Sequence, residues 1–183
     1  MSSSPLSLPT LAGERITLRA WRSTDAAVVM EASQDPLIPL LTSVPTTSGE
    51  PEALAFIERQ HNRLLERAGY AFAIADRDGT AIGHIGLFLI PGGSARASAG
   101  YWIAGSHRRQ GFASDALNTL TSWAVTLKNL DRIELCMEPW NEGSWRAAEQ
   151  AGYEREGLLR AFKRVGGQPR DMYMYSRLTR AVV

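Results

Sequence analysis

The chain has 183 residues, 44% of them apolar and 21% charged, with a formal net charge of +1. That length suits one domain able to bury roughly 70% of its unfolded surface, so no covalent staple is needed. The near-neutral charge argues against a dedicated nucleic-acid binder, whose domain is usually strongly basic. Cys136 is the single cysteine, which excludes an internal disulfide framework and fits a reducing compartment. Within the apolar run Ile133–Met137 it reads as a small buried hydrophobe rather than a nucleophile. No stretch approaches the ~20 apolar residues of a membrane span. The start, Met1–Pro5, lacks the charge and apolar core of a signal peptide. The expected location is the cytoplasm.

Residues 1–12, rich in Ser, Pro and Thr, are expected to form a flexible tail, with the folded domain over 13–180. A first strand is predicted at Arg15–Trp21, where Ile16, Leu18 and Ala20 alternate with polar neighbours. Ser23 or Thr24 can cap a helix through about Ser33, which Asp35-Pro36 ends. Residues 34–49 carry three prolines and no clear period, so they read as a long loop suited to a substrate lid. Pro51 opens a second helix with a stripe of Leu54, Ile57, Leu64 and Leu65, closed by Gly69. Tyr70–Ala75, an Asp78-Gly79 turn and Ala81–Ile90 predict a hairpin. A strand over 95–104 follows. Apolar positions 113, 116, 117, 120 and 124 then predict a helix. A strand at 132–138, a helix near 142–151 and two strands at 153–163 and 171–179 complete the chain. This order gives an α/β class, a mixed sheet covered by helices.

The most informative segment is Ile103-Ala104-Gly105-Ser106-His107-Arg108-Arg109-Gln110-Gly111-Phe112-Ala113. It joins a strand to an amphipathic helix, so the helix's first amides lack partners there and its dipole adds positive potential. Such a turn can hold phosphate oxygens. Gly111 permits close approach, Ala113 keeps the next turn small, and Arg108 and Arg109 can pair with phosphates at the rim. No Gly-Lys-Ser/Thr or G-x-G-x-x-G is present, which excludes the Walker and dinucleotide loops. The alternative is an ordinary basic turn at a helix start. The histidines, His61, His84 and His107, are too widely spaced to suggest a metal site.

Arg108-x-x-Gly111-x-Ala113, after Gly100-Tyr101-Trp102-Ile103, resembles the acetyl-CoA motif of the GCN5-related N-acetyltransferases (GNAT). Downstream, Asn141-Glu142-Gly143-Ser144, Gly152-Tyr153 and Glu156-Gly157 resemble the signature of the branch that acetylates ribosomal-protein N-termini. Arg15–Arg19 and Asp35-Pro36 fit that branch as well. The resemblance implies a twisted, mainly antiparallel mixed sheet whose fourth and fifth strands splay apart around acetyl-CoA. It places the pantetheine arm on the backbone near Trp102 and Ile103 and beside Asn141. It places the pyrophosphate on residues Arg108, Arg109, Gln110, Gly111, Phe112, Ala113 and Ser114. Asn141 also reads as a plain helix cap, and the two roles are compatible.

The implied reaction is attack of a neutral amine on the thioester, with backbone donors stabilising the oxyanion. Ser144 matches the branch's proposed proton donor, through a hydrogen bond to the departing sulfur; it also reads as a plain first-turn serine. The tyrosine of many relatives is replaced by Ala148. Where relatives carry glutamates, this chain has Ser98 and Lys163. Glu138 is the substitute carboxylate, read otherwise as a solvated strand end. Freeing an α-amine of pKa ~8 at pH 7 costs about 1.4 kcal/mol, against about 4.6 for a lysine of pKa ~10.4. A site without a strong base therefore favours a protein or peptide N-terminus as acceptor. The alternatives are a small-molecule amine or a non-catalytic acyl-CoA-binding module. Segments 34–49 and 164–171 are the expected acceptor-side loops, and Trp140, Trp145, Tyr173 and Tyr175 are candidates for lining the cleft or for the core. The sequence leaves a homodimer open.

Overall fold

The computed structural model describes residues 7–92 and 95–180. It holds one eight-stranded sheet in the order β1-β2-β3-β4-β5-β6-β8-β7. The strands are β1 (Leu11–Ala12), β2 (Thr17–Arg19), β3 (Gly69–Ala75), β4 (Ala81–Leu89), β5 (Arg96–Ile103), β6 (Arg132–Met137), β7 (Glu154–Val165) and β8 (Gln168–Leu178). The helices are α1 (Ala26–Ser33), α2 (Ile38–Leu41), α3 (Glu50–Leu65), α4 (Phe112–Ala124) and α5 (Glu142–Gln150). All pairings are antiparallel except β5 with β6.

That parallel pairing is short. Only Arg96, Ala97 and Ser98 meet Arg132, Ile133 and Glu134, and the rest of β5 runs on without β6. A charged network holds the joined end: Glu134 receives Arg96 at 2.7 Å and Arg132 at 2.9 Å, and Arg132 reaches on to Glu156. The guanidiniums hold the Glu134 carboxyl below its ordinary value, and Arg132 with Ser176 holds Glu156 down at about 2. Beyond this pin the strands diverge and open a gap in the sheet. The splay expected between the fourth and fifth strands thus falls between β5 and β6, because the short β1 adds one to the count.

Alternating side chains divide the core into two clusters. On one face Leu18, Phe72, Ile85 and Leu87 pack with Leu117 and Leu120 of α4. On the other, Trp21, Ala73 and Trp102 pack with Val29 of α1 and Phe56 of α3.

Four expectations need correction. Residues 1–12 are not wholly a tail, since Leu11–Ala12 pair with β2 and Leu8 and Leu11 pack on the core; residues 1–6 lie outside the described residues. The loop at 34–49 contains α2, which Asp35 starts by accepting the amides of Leu37 (2.8 Å) and Ile38 (3.0 Å). In α3 the buried stripe is Ala53, Phe56, Ile57 and Gln60, whereas Leu65 is 69% exposed. Gln60 is buried because it is satisfied: it donates to the Phe56 carbonyl at 3.1 Å and accepts from Arg63 at 3.0 Å. Residues 164–171 are not a loop, since β7 and β8 continue to a tight turn at Gly166-Gly167, both at positive φ.

Candidate active site

The turn into α4 is shaped by its backbone. Arg109 (φ 61) and Gly111 (φ 78) both adopt the left-handed conformation, which turns successive amides toward one concavity. None of the N–H groups of residues 109–114 finds an acceptor among the described residues, and no side chain caps the helix. A Cβ on Gly111 would meet nothing closer than 3.8 Å, so open space faces this position. From behind, Asp115 accepts the amides of Glu14 (3.1 Å) and Arg15 (2.7 Å), and the Arg15 guanidinium lies 4.8 Å over the Phe112 ring.

Arg108 has partners that its local sequence does not show. Its guanidinium pairs with Asp35 at 2.7 Å and donates to the Ile103 carbonyl at 3.1 Å. The side chain braces the turn against the start of α2, while staying 42% exposed in the lining of the cavity described below. Burial pushes the Asp35 carboxyl up, but the Leu37 and Ile38 amides and Arg108 outweigh that and hold it low. Arg109 and Gln110 are exposed, while Phe112 is buried beneath the turn. The side chains of Trp102 and Ile103 are buried at 5% and 8% exposure, so only their backbone can face a ligand.

Two cavities flank the gap. One, of about 610 Å³, is lined by residues 108–114 and the start of α5. The other, of about 680 Å³, lies among β4, β5, β6 and the β7–β8 hairpin. They share Leu41, Thr42, Tyr101, Trp102, Asn141 and Ser144. A ligand entering by each side would meet the other here.

At this junction Ser144 sits in the first turn of α5. Asn141 caps the helix, its Oδ1 accepting the Ser144 amide at 3.3 Å, which leaves its side-chain NH2 free to face a ligand. The Tyr101 hydroxyl donates to the Ser144 carbonyl at 2.8 Å and lies 2.9 Å from Ser144 Oγ. Burial pushes the Tyr101 phenol up to about 12, against the pull of the Ser144 hydrogen bond, so it stays protonated at neutral pH. Sequence reasoning missed Tyr101. Its signal was the strand's alternation, since its neighbour Trp102 packs on the opposite face of the sheet.

In the second cavity Glu138 is not the solvated strand end of the alternative reading. It is 7% exposed, walls the cavity, and faces Arg170 at 3.6 Å. Ser98, Lys163 and Cys136 also line this side. The Cys136 thiol is half-buried, raised by desolvation, and 3.8 Å from the Met174 sulfur. Trp140, Trp145, Tyr173 and Tyr175 do not line it; Tyr175 is fully buried and bonds Glu149 at 2.8 Å. The apolar lining comes instead from Phe88, Phe162 and three methionines, Met137, Met172 and Met174. His84 walls it too, accepting from Trp21 Nε1 at 3.3 Å and stacked on Trp102. Burial, helped by the Arg63 charge, pushes His84 down to about 3. It is a neutral core imidazole. No cluster of metal-ligating side chains exists among the described residues, and no described helix is long and apolar enough to cross a membrane.

The profile described as the acetyltransferase (GNAT) domain matches residues 15–154. The chain is 32% identical over 174 residues to an uncharacterised N-acetyltransferase, p20, of Bacillus licheniformis, spanning 94% of this chain and 98% of that one. It is 31% identical over 121 residues to the ribosomal-protein-serine acetyltransferase of Escherichia coli, covering 65% of this chain and 67% of that one. The structure of Mycobacterium smegmatis RimJ in complex with CoA-disulfide shares the fold, with a TM-score of 0.78 at 22% identity over 93% of this chain and 87% of that one. With the splayed sheet, the open amides and these matches together, the chain belongs to the GNAT family and is an acetyl-CoA-dependent N-acetyltransferase.

Proposed function

We propose that the enzyme acetylates the α-amine at the N-terminus of a peptide or protein. One observation carries this reading. Both carboxylates in the wall of the second cavity already face guanidiniums, Glu134 those of Arg96 and Arg132, and Glu138 that of Arg170. Glu134, held low by its two guanidiniums, is a weak base, and a wall with no unengaged carboxylate suits an amine that is partly neutral at pH 7 better than a lysine, whose deprotonation costs about 3 kcal/mol more. The name of the E. coli relative, a ribosomal-protein-serine acetyltransferase, supports a protein acceptor.

The residues take these roles. The amides of residues 109–114 hold the pyrophosphate at the helix start, with Arg109 and Gln110 at the rim and Arg108 bracing the turn through Asp35. The β5 edge at Trp102 and Ile103, free of β6 beyond Ser98, and the free NH2 of Asn141 hold the pantetheine arm. Acetyl-CoA supplies, when bound, a thioester whose carbonyl accepts the amine and whose sulfur departs as a thiolate, to be protonated from solvent. The Ser144 hydroxyl stands at the junction and donates a hydrogen bond there, while Tyr101 fixes its orientation. A hydroxyl without its own base acts by hydrogen bonding and not by full proton transfer. Glu138 is the group left to accept the amine's proton, since Glu134 is bound twice over and His84 is committed to Trp21.

The test is a thiol-release assay with acetyl-CoA on matched peptides. One set offers a free N-terminus and no lysine; another has a blocked N-terminus and one lysine; polyamines and other small amines form a third. The expected result is a kcat/KM at least ~10-fold higher on free N-termini. Faster turnover on lysines or small amines overturns the reading.

A further inference from the structure

The second cavity carries more positive than negative charge, and two of its cations have no acidic partner. Arg63 enters from the last turns of α3 and Lys163 from β7, so they stand on opposite sides of the gap in the sheet. Neither forms an ion pair among the described residues, whereas Arg96 is bound to Glu134 at 2.7 Å and Glu138 faces Arg170. Arg63 is held in place: its Nε donates to Gln60 at 3.0 Å and its guanidinium lies 4.7 Å over the Phe88 ring. Lys163 is exposed. Both charges are felt inside the cavity wall, Arg63 lowering His84 and Lys163 lowering Cys136.

We propose that this cavity selects amines that carry a carboxylate close to the reacting nitrogen, with Lys163 and Arg63 as the residues that set the preference. The proposal rests on acetyl transfer at this cavity and narrows the acceptor class. Two unpaired cations at a partly desolvated mouth make charge-assisted hydrogen bonds to an entering carboxylate. The same cations repel a polyamine, whose several ammonium groups would meet like charge on both walls. The carboxylate has two sources, an acidic side chain near a peptide's N-terminus or the α-carboxylate of a free amino acid.

The experiment uses the full chain, acetyl-CoA and peptides identical except for Asp, Asn or Lys at the second and third positions. Free amino acids and their carboxamides form a second arm. The expected result is a kcat/KM about two- to fivefold higher for the Asp peptides than for the Asn peptides, expressed mainly in KM, which is the size a partly exposed ion pair supports. Raising the salt to ~0.5 M should shrink the ratio. Lys163→Glu should invert it, and Arg63→Gln should reduce it. A melting curve matching the wild type certifies the fold of each variant, and the exposed Lys163 puts little at risk. Preference for free amino acids over their carboxamides, with indifferent peptides, assigns the carboxylate to the acceptor's own backbone. Equal rates for Asp, Asn and Lys peptides and for acids and amides, or a ratio untouched by Lys163→Glu, overturns the proposal. The α-amine reading fails separately: lysine-only peptides would then win, yet the charge preference would still be measurable among them.

Discussion

The two sides of the sheet gap are made of different material. The side with residues 109–114 is built from backbone, as left-handed turns and free amides, with side chains serving mainly as braces behind it. The other side is built from side chains: paired arginines and glutamates, three methionines, two phenylalanines and a buried histidine. A backbone site depends on a few residues that allow a conformation. A side-chain site depends on every residue that five strands and three helices bring together. The first can hold one fixed chemical group across many sequences, and the second can change its acceptor by substitution.

Acidification strains that contrast most. His84 is neutral in the fold, with its pKa depressed to about 3, while an unfolded histidine titrates near 6.5. Below 6.5 the unfolded chain takes up a proton that the folded chain refuses. The stability due to this group is thus fully present above pH 6.5 and is lost as pH falls toward 3. The loss is on the order of a few kcal/mol for so large a shift of a buried group. Urea melts at pH 7 and pH 5 should show a steep drop for the wild type and a shallower one for His84→Phe. The variant starts about 1 kcal/mol lower at pH 7, because the Trp21 indole loses its acceptor. Parallel slopes would show that acid sensitivity arises elsewhere.

The same division explains what the sequence disclosed. Arg108-x-x-Gly111-x-Ala113 was legible because a helix start with a glycine just before it constrains the backbone locally, and no distant residue is needed. The succession of strands along the chain after residue 12, and both late helices, were legible from periodicity. Tyr101 and the lining by Phe88, Phe162 and Met172 were not, because they depend on how far β6 diverges from β5 after Ser98. The helix α2 was hidden by Pro36 and Pro39, although Pro39 sits in the first turn where proline is tolerated. The bond from Arg108 to Asp35 was hidden because the two are 73 residues apart in the chain, a pairing no local spacing shows.

Gly111→Val sharpens the backbone half of the comparison. A β-branched residue at φ 78 is strained by about 1–3 kcal/mol, and its methyls would cover the amides beside it. Since no atom lies within 3.8 Å of the new Cβ, the fold should survive. Calorimetry should find CoA affinity reduced ~30-fold or more, which is about 2 kcal/mol. An unchanged affinity would mean that the pyrophosphate does not rest on this turn.

The junction between the two sides is tested by Tyr101→Phe. The ring stays and the hydroxyl goes, so Ser144 loses the contacts at 2.8 and 2.9 Å that orient it. The expected loss is about tenfold in kcat, in line with a buried hydrogen bond, with little change in either KM. Ser144→Ala should cost a similar factor, and the double variant should cost little more than the larger single loss. Additive losses would separate the two residues into independent roles.

The smallest expected effect asks whether the two sides communicate. Asp35 binds Arg108 from the turn before α4 and starts α2, whose Leu41 lines both cavities. Asp35→Asn keeps an oxygen for the Leu37 and Ile38 amides but removes the charge that holds Arg108. Only a partly exposed ion pair is lost, so the change should be about two- to fivefold. If α2 acts as a shared wall, KM for acetyl-CoA and KM for the acceptor move together. If the pair braces the turn alone, the first moves and the second does not. Either way the variant reports what kcat at a single saturating pair of concentrations would hide, because the pair touches neither the reacting amine nor Ser144.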